Sequence, residues 1–287
     1  VDISSIITGP YKYGGGVLSP QGNIVFVPYA ASHMGVFDPV THLFSTVSIS
    51  VASQDDRRYL GGVLAPNGLI YFAPNNAHSV GVFNSSSNVF SVVAISDGGG
   101  TYKFIGCVLA PNGNVVMVPG NAGYVGVFDT TRSVFSSVSA PTGQSDAFAG
   151  GVLAPDGKIY FVPLSINRVG VFDPATNAFS FIDISATISG SWKFFGGVLA
   201  PNGQIVFVPE NSGTVGVFDP ATSAFTAVSL SGLTSTTSKF DGGVLTPSGN
   251  IVFVPANTDA VGWFTPGSSA PAYTEWRALL SPHFNKL

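Results

Sequence analysis

One phrase recurs six times along the 287-residue chain and constrains everything else about it. It is written most fully at Phe195–Asp219: Phe-Gly-Gly-Val-Leu-Ala-Pro-Asn-Gly-Gln-Ile-Val-Phe-Val-Pro, then Val-Gly-Val-Phe-Asp. The second glycine of the pair falls at Gly16, Gly62, Gly151, Gly197 and Gly243, and Cys107 holds its place in the third copy. The spacings are therefore 46, 45, 44, 46 and 46 residues. A fixed period in the forties marks one supersecondary unit copied along the chain.

Each copy reads as four strands. In the first, Tyr13–Leu18 is a glycine-rich strand, Ser19-Pro20-Gln21-Gly22 a tight turn, and Ile24–Val27 a strand apolar at every position. Such a run is buried on both faces. Pro28 ends it, because proline cannot donate to a ladder. Met34–Phe37 is the third strand. Asp38-Pro39-Val40-Thr41 turns the chain, with a side chain able to bond amides ahead of it, and Phe44–Ile49 alternates as the fourth. Asn84, Asp129, Asp173 and Asp219 match Asp38, and Thr265 breaks the pattern. These carboxylates read as turn-makers rather than catalysts.

The sixth copy has no fourth strand, since Thr265–Pro271 is rich in Pro, Gly and Ser. Val1–Ser5 resembles Ile182–Ser185, which closes the fourth copy, and fits the vacancy. The expectation is an all-β, six-bladed β-propeller with four antiparallel strands per blade, its ring closed by the N-terminal strand. The blades span about 11–56, 57–101, 102–145, 146–191, 192–237, and 238–266 joined by 1–5; residues 267–287 form a C-terminal tail. On this reading, loss of residues 1–5 exposes an apolar edge and costs several kcal/mol. Gly-Gly in the first strand fits a crowded innermost position.

Charged residues are 9% of the chain, far below the roughly 25% of soluble domains. No apolar run approaches the roughly 18 residues of a membrane helix, so membrane insertion is not expected. The net charge of −4 gives no reason to expect nucleic acid. Low charge with abundant Ser and Thr suits an extracellular or particle-surface protein. Cys107 reads as a packed, inert thiol, and Asn84-Ser85-Ser86 is a glycosylation triplet in a secretory setting.

The motif at Gly61–Tyr71 and Gly150–Tyr160 resembles a family of tandem repeats in large repeat proteins, written around Gly-Gly-Val-Leu-Ala-Pro-Asn-Gly-Lys-Ile-Tyr. The resemblance covers roughly Tyr11–Pro266. Some similar repeats sit in phage or viral structural proteins, and Leu-Ser-Pro-His-Phe-Asn-Lys-Leu at 280–287 is similar to tails seen there. It implies a propeller with a surface role and supplies no catalytic residue. Residues 155–160, Pro-Asp-Gly-Lys-Ile-Tyr, also resemble propellers of the NHL, gluconolactonase and streptogramin-lyase kinds.

Two sets of side chains stand out. Three residues before each Gly-Gly pair stand Lys12, Arg58, Lys103, Ala147, Lys193 and Lys239, so five of the eleven Lys and Arg share one structural position. They predict either strand-end caps or a basic ring that attracts an anion. Tyr11, Arg57, Tyr102 and Trp192 immediately precede four of them and offer flat groups for stacking on a sugar. The second set, Tyr273, Trp276, Leu279, Leu280 and Phe284, lies in the tail and either covers a propeller edge or docks into a partner.

Catalysis finds little support in the sequence. His33, His42, His78 and His283 are separate, and neither His-Glu-x-x-His nor Gly-x-Ser-x-Gly occurs. Just before Gly-Gly stand Gly14, Leu60, Ile105, Ala149, Phe195 and Asp241: one carboxylate where a hard cation wants several oxygen ligands. No metal or cofactor is expected. The first expectation is a non-enzymatic binding or display module on a particle or cell surface, recognising a glycan or protein receptor through the loop-rich face. The alternatives are a propeller hydrolase or lyase of the lactonase or streptogramin-lyase kind, and a purely architectural subunit.

Overall fold

The structure, a computed structural model, describes residues 1–49, 57–96, 99–230 and 236–267. It is an all-β, six-bladed propeller; five of its six sheets have four antiparallel strands in sequence order. The chain divides into two compact units of three blades each, Val1–Ser139 and Ala140–Lys286.

In the first unit, β1 (Tyr13–Leu18), β2 (Ile24–Pro28), β3 (His33–Asp38) and β4 (Leu43–Ser48) make the first blade. The second is β5 (Tyr59–Leu64), β6 (Leu69–Pro74), β7 (Ser79–Asn84) and β8 (Val89–Ala94). The third is β9 (Phe104–Leu109), β10 (Val115–Pro119), β11 (Tyr124–Asp129) and β12 (Val134–Ser139). First strands of successive blades lie against one another, β1 on β5 and β5 on β9.

In the second unit, β13 (Phe148–Leu153), β14 (Ile159–Pro163), β15 (Arg168–Asp173) and β16 (Ala178–Asp183) form the fourth blade. The fifth is β17 (Phe194–Leu199), β18 (Ile205–Pro209), β19 (Thr214–Asp219) and β20 (Ala224–Ser229). The sixth has three strands among the described residues, β21 (Phe240–Leu245), β22 (Ile251–Pro255) and β23 (Gly262–Phe264). Here β13 lies on β17 and β17 on β21.

The packing repeats with the sequence. Every residue of β10, β14 and β18 is buried, as all-apolar strands covered on both faces must be. The Val-Gly-Val-Phe phrase has a packing reason that lies in three neighbouring strands. In the fifth blade, Phe194, Phe207 and Phe225, from β17, β18 and β20, meet with ring centroids 5.7, 6.2 and 6.1 Å apart. Gly216 of β19 is the floor under them: a Cβ there would lie 2.9 Å from Phe194, 2.9 Å from Phe225 and 3.1 Å from Phe207. Burying one such ring is worth roughly 1.5–3 kcal/mol.

The Gly-Gly pair is a bulge as well as a close approach. In β17 the register slips between Phe194↔Pro209 and Gly197↔Phe207, and Gly196 has φ +79°. Left-handed backbone at a bulge favours glycine. Crowding, the expected reason, holds too: a Cβ on Gly61 would stand 2.9 Å from Gly106 Cα. The carboxylates after the third strands act as turn-makers. Asp38 Oδ1 accepts the Val40 and Thr41 amides, and Asn84, Asp129, Asp173 and Asp219 accept amides two residues on.

One expectation is corrected. Val1–Ser5 is not a strand, and β21–β22–β23 is a three-stranded sheet. The backbone groups of the segment close on themselves: the Ile6 and Ile7 amides both donate to the Ile3 carbonyl at 3.0 Å, and the Ser4 amide donates to Asp2 Oδ1 at 2.8 Å. Asx and tight-turn bonding of this kind competes directly with ladder pairing. The tail residues Tyr273, Trp276, Leu279, Leu280 and Phe284 lie outside the described residues.

Candidate functional site

Each blade begins with the same backbone device. Tyr11, Arg57, Tyr102, Asp146, Trp192 and Ser238 are all left-handed, with φ between 48° and 63°. The turn aims each carbonyl back at the loop between the second and third strands. Trp192 O accepts the Asn211 amide at 2.9 Å, Tyr102 O the Asn121 amide at 2.9 Å, and Arg57 O the Asn76 amide at 3.0 Å. Left-handed backbone is uncommon outside Gly, Asn and Asp, and strained for a bulky side chain.

The cations follow immediately and face inward. Arg58, Lys103, Lys193 and Lys239 are buried, and Lys12 is half-buried. Arg58 Nη1 donates to Ala30 O and Ala31 O; Lys103 Nζ to Asn76 O and Gly100 O at 3.2 Å. Lys193 Nζ donates to Leu164 O at 3.1 Å and Gly190 O at 2.7 Å, and Lys239 Nζ to Glu210 O at 3.2 Å. Each bond reaches the preceding blade, or the approach to its own. These hydrogen bonds to carbonyls are the contacts that a strand-end cap makes. Burial lowers the Lys193 ammonium to about 8 and lowers Lys239, against which Glu210 acts.

The second unit holds a group that sequence reasoning missed. Glu210 follows Pro209 at the end of β18, is 5% exposed, and has an Oε2 without a hydrogen-bond partner among the described residues. Ser238 Oγ lies 3.5 Å from its Oε1. Burial, then the charges of Asp241 and Asp146, push its carboxyl up to about 7 against the pull of Ser238 and Lys239. Asp241 and Asp146 are themselves raised by burial. Asp241 keeps solvent contact even so, so this desolvation comes from a crowded surround rather than from full enclosure. Among the described residues no group of His, Cys, Asp and Glu is arranged to hold a metal ion. Asp241 was visible in sequence as the one carboxylate before Gly-Gly; Glu210 sits in a variable loop, where nothing in the repeat marks it.

Exposed flat groups collect at the same blade entries. Tyr11 is 77% exposed and Trp192 42%. The Arg57 guanidinium lies over the Tyr102 ring at 5.0 Å from its centroid, a cation–π contact. Tyr29 stands near Tyr11 and Arg57, and burial raises its phenol. Between the approach to β17 and the loop before β19 lies an open hollow of about 390 Å³, whose lining includes Ser191, Lys193, Asn211 and Thr214. Elsewhere, His33 is an exposed ring with Nδ1 3.0 Å from Ser32 Oγ. Burial pushes the Cys107 thiol up to about 12, which makes it a poor nucleophile. Among the described residues, no helix is long and apolar enough to cross a membrane.

No protein family matches the chain by sequence, and no curated protein does. Its likeness is to solved propellers. Selenomethionine-substituted virginiamycin B lyase from Staphylococcus aureus superposes with a TM-score of 0.72 at 11% identity, over 89% of this chain and 84% of that one. A streptogramin B lyase gives 0.70 at 13%, over 91% and 86%. A putative gluconolactonase gives 0.57 at 13%, over 89% of each. At these identities the likeness establishes the fold: the chain is a six-bladed propeller related in architecture to the lyase and gluconolactonase propellers.

Proposed function

We propose that the chain is a propeller enzyme of the hydrolase or lyase class, with Glu210 as its acid–base group. The observation that carries this reading is the Glu210 carboxyl, 5% exposed, unpartnered at Oε2 and raised to about 7 by burial and by Asp241. A carboxyl that titrates near neutrality is matched to proton transfer at that pH. In an elimination, the ionised carboxylate takes a proton from a carbon beside a carbonyl. The C–H electron pair becomes the new double bond, and the leaving group departs with its own pair. In a hydrolysis the same carboxylate takes the proton of the attacking water. The related fold of the streptogramin B lyases and the putative gluconolactonase supports the class. The test is turnover of a panel of streptogramin B antibiotics, aldonolactones and uronate-containing polysaccharides by the parent chain and by Glu210→Gln. Activity that rises with pH through about 7 and falls on the order of 100-fold or more in the variant is expected. Activity indifferent to Glu210 overturns the assignment.

A second reading is favoured by a different observation. The exposed ring of Tyr11 and the Arg57–Tyr102 stack suit a non-enzymatic binding and display module on a particle or cell surface, with a glycan or protein receptor at the blade entries. Aromatic and Arg side chains commonly dominate such contacts. Glycan-array and receptor-capture binding that is lost in Tyr11→Ala and Tyr102→Ala, with no turnover of the panel, selects this reading over the first.

A further inference from the structure

We infer that residues 272–277 of this chain, Ala-Tyr-Thr-Glu-Trp-Arg, lie along β23 as the outer strand of the sixth blade, with Tyr273 as the third ring of its aromatic cluster. The inference concerns the edge of that blade and stands independently of both functional readings above.

What an outer strand does in the other blades sets the requirement. Each of β4, β8, β12, β16 and β20 carries Phe at its second position and Ser or Thr at its third: Phe44-Ser45, Phe90-Ser91, Phe135-Ser136, Phe179-Ser180 and Phe225-Thr226. In the first, second, fourth and fifth blades the phenylalanine closes a cluster of three rings, over Gly35, Gly81, Gly170 and Gly216. The hydroxyl donates to a carbonyl of the third strand: Ser45 to Val36 O, Ser136 to Val127 O and Thr226 to Val217 O, at 3.5, 3.4 and 3.5 Å. The fifth position is Val or Ile, and there Val93 and Ile182 pack into the cores that their blades share with the next.

Among the described residues the sixth blade has two of these three rings. Phe240 and Phe253 stand 5.5 Å apart over Gly262, whose Cβ would lie 2.6 Å from Phe253 and 3.0 Å from Phe240. Val228 of the fifth blade, at the place of Ile182, is 43% exposed. Residues 272–277 lie outside the described residues, and their sequence supplies the match. Ala272-Tyr273-Thr274 repeats Ala224-Phe225-Thr226 and Ala178-Phe179-Ser180, and Trp276 falls at the place of Val228 and Ile182. Tyrosine already serves in such clusters, at Tyr13 and Tyr59. Tyr273 follows Phe264 by nine residues where Phe225 follows Phe218 by seven. The two extra residues lengthen the turn, and they hide the strand from the repeat. Gly267 O accepts from Asn202 Nδ2 at 3.1 Å, much as Thr130 O accepts from Asn67 Nδ2 at 3.3 Å on the approach to β12. The chain thus leaves β23 along the path that elsewhere leads into an outer strand. In the register of the fifth blade, where Phe225, Thr226 and Ala227 oppose Phe218, Val217 and Gly216, Tyr273 opposes Phe264 and Thr274 opposes Trp263. A segment tethered this closely is held at high effective concentration, so it takes the edge of its own blade ahead of a strand from another chain.

Crosslinking in the full chain tests the register. Trp263→Cys with Thr274→Cys puts two thiols at directly opposed positions, within reach of a disulfide, whereas Trp263→Cys with Glu275→Cys puts them on opposite faces of the sheet. Under mild oxidation the first pair is expected to close within one chain, read as loss of free thiol at monomer mass, and the second to stay reduced. Tyr273→Ala is expected to lower the urea midpoint and to speed amide exchange along Gly262–Phe264, and Tyr273→Phe to leave both unchanged. A Tyr273→Ala chain that matches the parent in midpoint and exchange overturns the inference. So does a disulfide that forms equally in both pairs, or one that forms only between chains, which would make the segment a docking element for a second copy. If the paired-cysteine chains do not fold, the Tyr273 variants decide alone.

Discussion

At the scale of single residues, Glu210 is the clearest case of a side chain whose state is set by its surroundings. Its carboxyl is raised to about 7 in the folded chain against an ordinary 4.5. Below the ordinary value both folded and unfolded chains hold the proton, and the group is neutral in its effect. As pH rises from there to about 7, the unfolded chain ionises first and stability is lost; above 7 the whole cost is present. A shift of this size corresponds to roughly 3 kcal/mol. Glu210→Gln is therefore expected to unfold at a higher temperature than the parent at about pH 8 and at the same temperature at about pH 4. Calorimetry at the two pH values checks it, and equal melting temperatures at the higher pH would remove the perturbed carboxyl. The repeat hides this residue, because Tyr29, Asn75, Gly120, Leu164 and Ala256 hold the same place in the other copies. The cations were legible as a set, but their inward direction was not. It depends on a left-handed residue ahead of each one, and Tyr, Arg and Trp carry no local signal for that conformation.

At the scale of the strand, the glycines carry the testable content. Gly61 combines φ +79° with a would-be Cβ 2.9 Å from Gly106 Cα. Gly61→Ala is expected to cost at least about 2 kcal/mol, since neither the backbone conformation nor the neighbouring backbone can yield cheaply. Gly216→Ala presses instead on two phenylalanine rings at 2.9 Å, which can shift, so about 1–3 kcal/mol is expected. Urea unfolding midpoints of the two variants measure both. A Gly61→Ala midpoint equal to the parent's would mean the bulge is not needed. Strand existence and turn positions were legible along the repeat because alternation, proline and the Asp-Pro turns are local signals. The aromatic trio over a third-strand glycine, as at Gly216, was not, because its members come from three different strands.

For the whole molecule, sixfold repetition made the architecture readable from the sequence. The outcome differed at the N-terminal segment. Val1–Ser5 is bonded into its own turn, so deleting residues 1–5 is expected to cost about 1 kcal/mol or less rather than the loss of a strand. A fall of several kcal/mol in unfolding free energy on that deletion would show that the segment pairs after all. The sequence by itself determined the number of blades, the order of their strands, the turn-making carboxylates and the buried second strands, because each of these follows from patterns within one repeat of 44 to 46 residues. Tertiary structure alone decided two things: which carbonyls the cations meet, and that Glu210 is desolvated under the charge of Asp241. Burial and electrostatic coupling are properties of neighbours brought together by folding. Glu210 and Asp241 are 31 residues apart in the chain, and no periodic pattern within one repeat encodes their meeting.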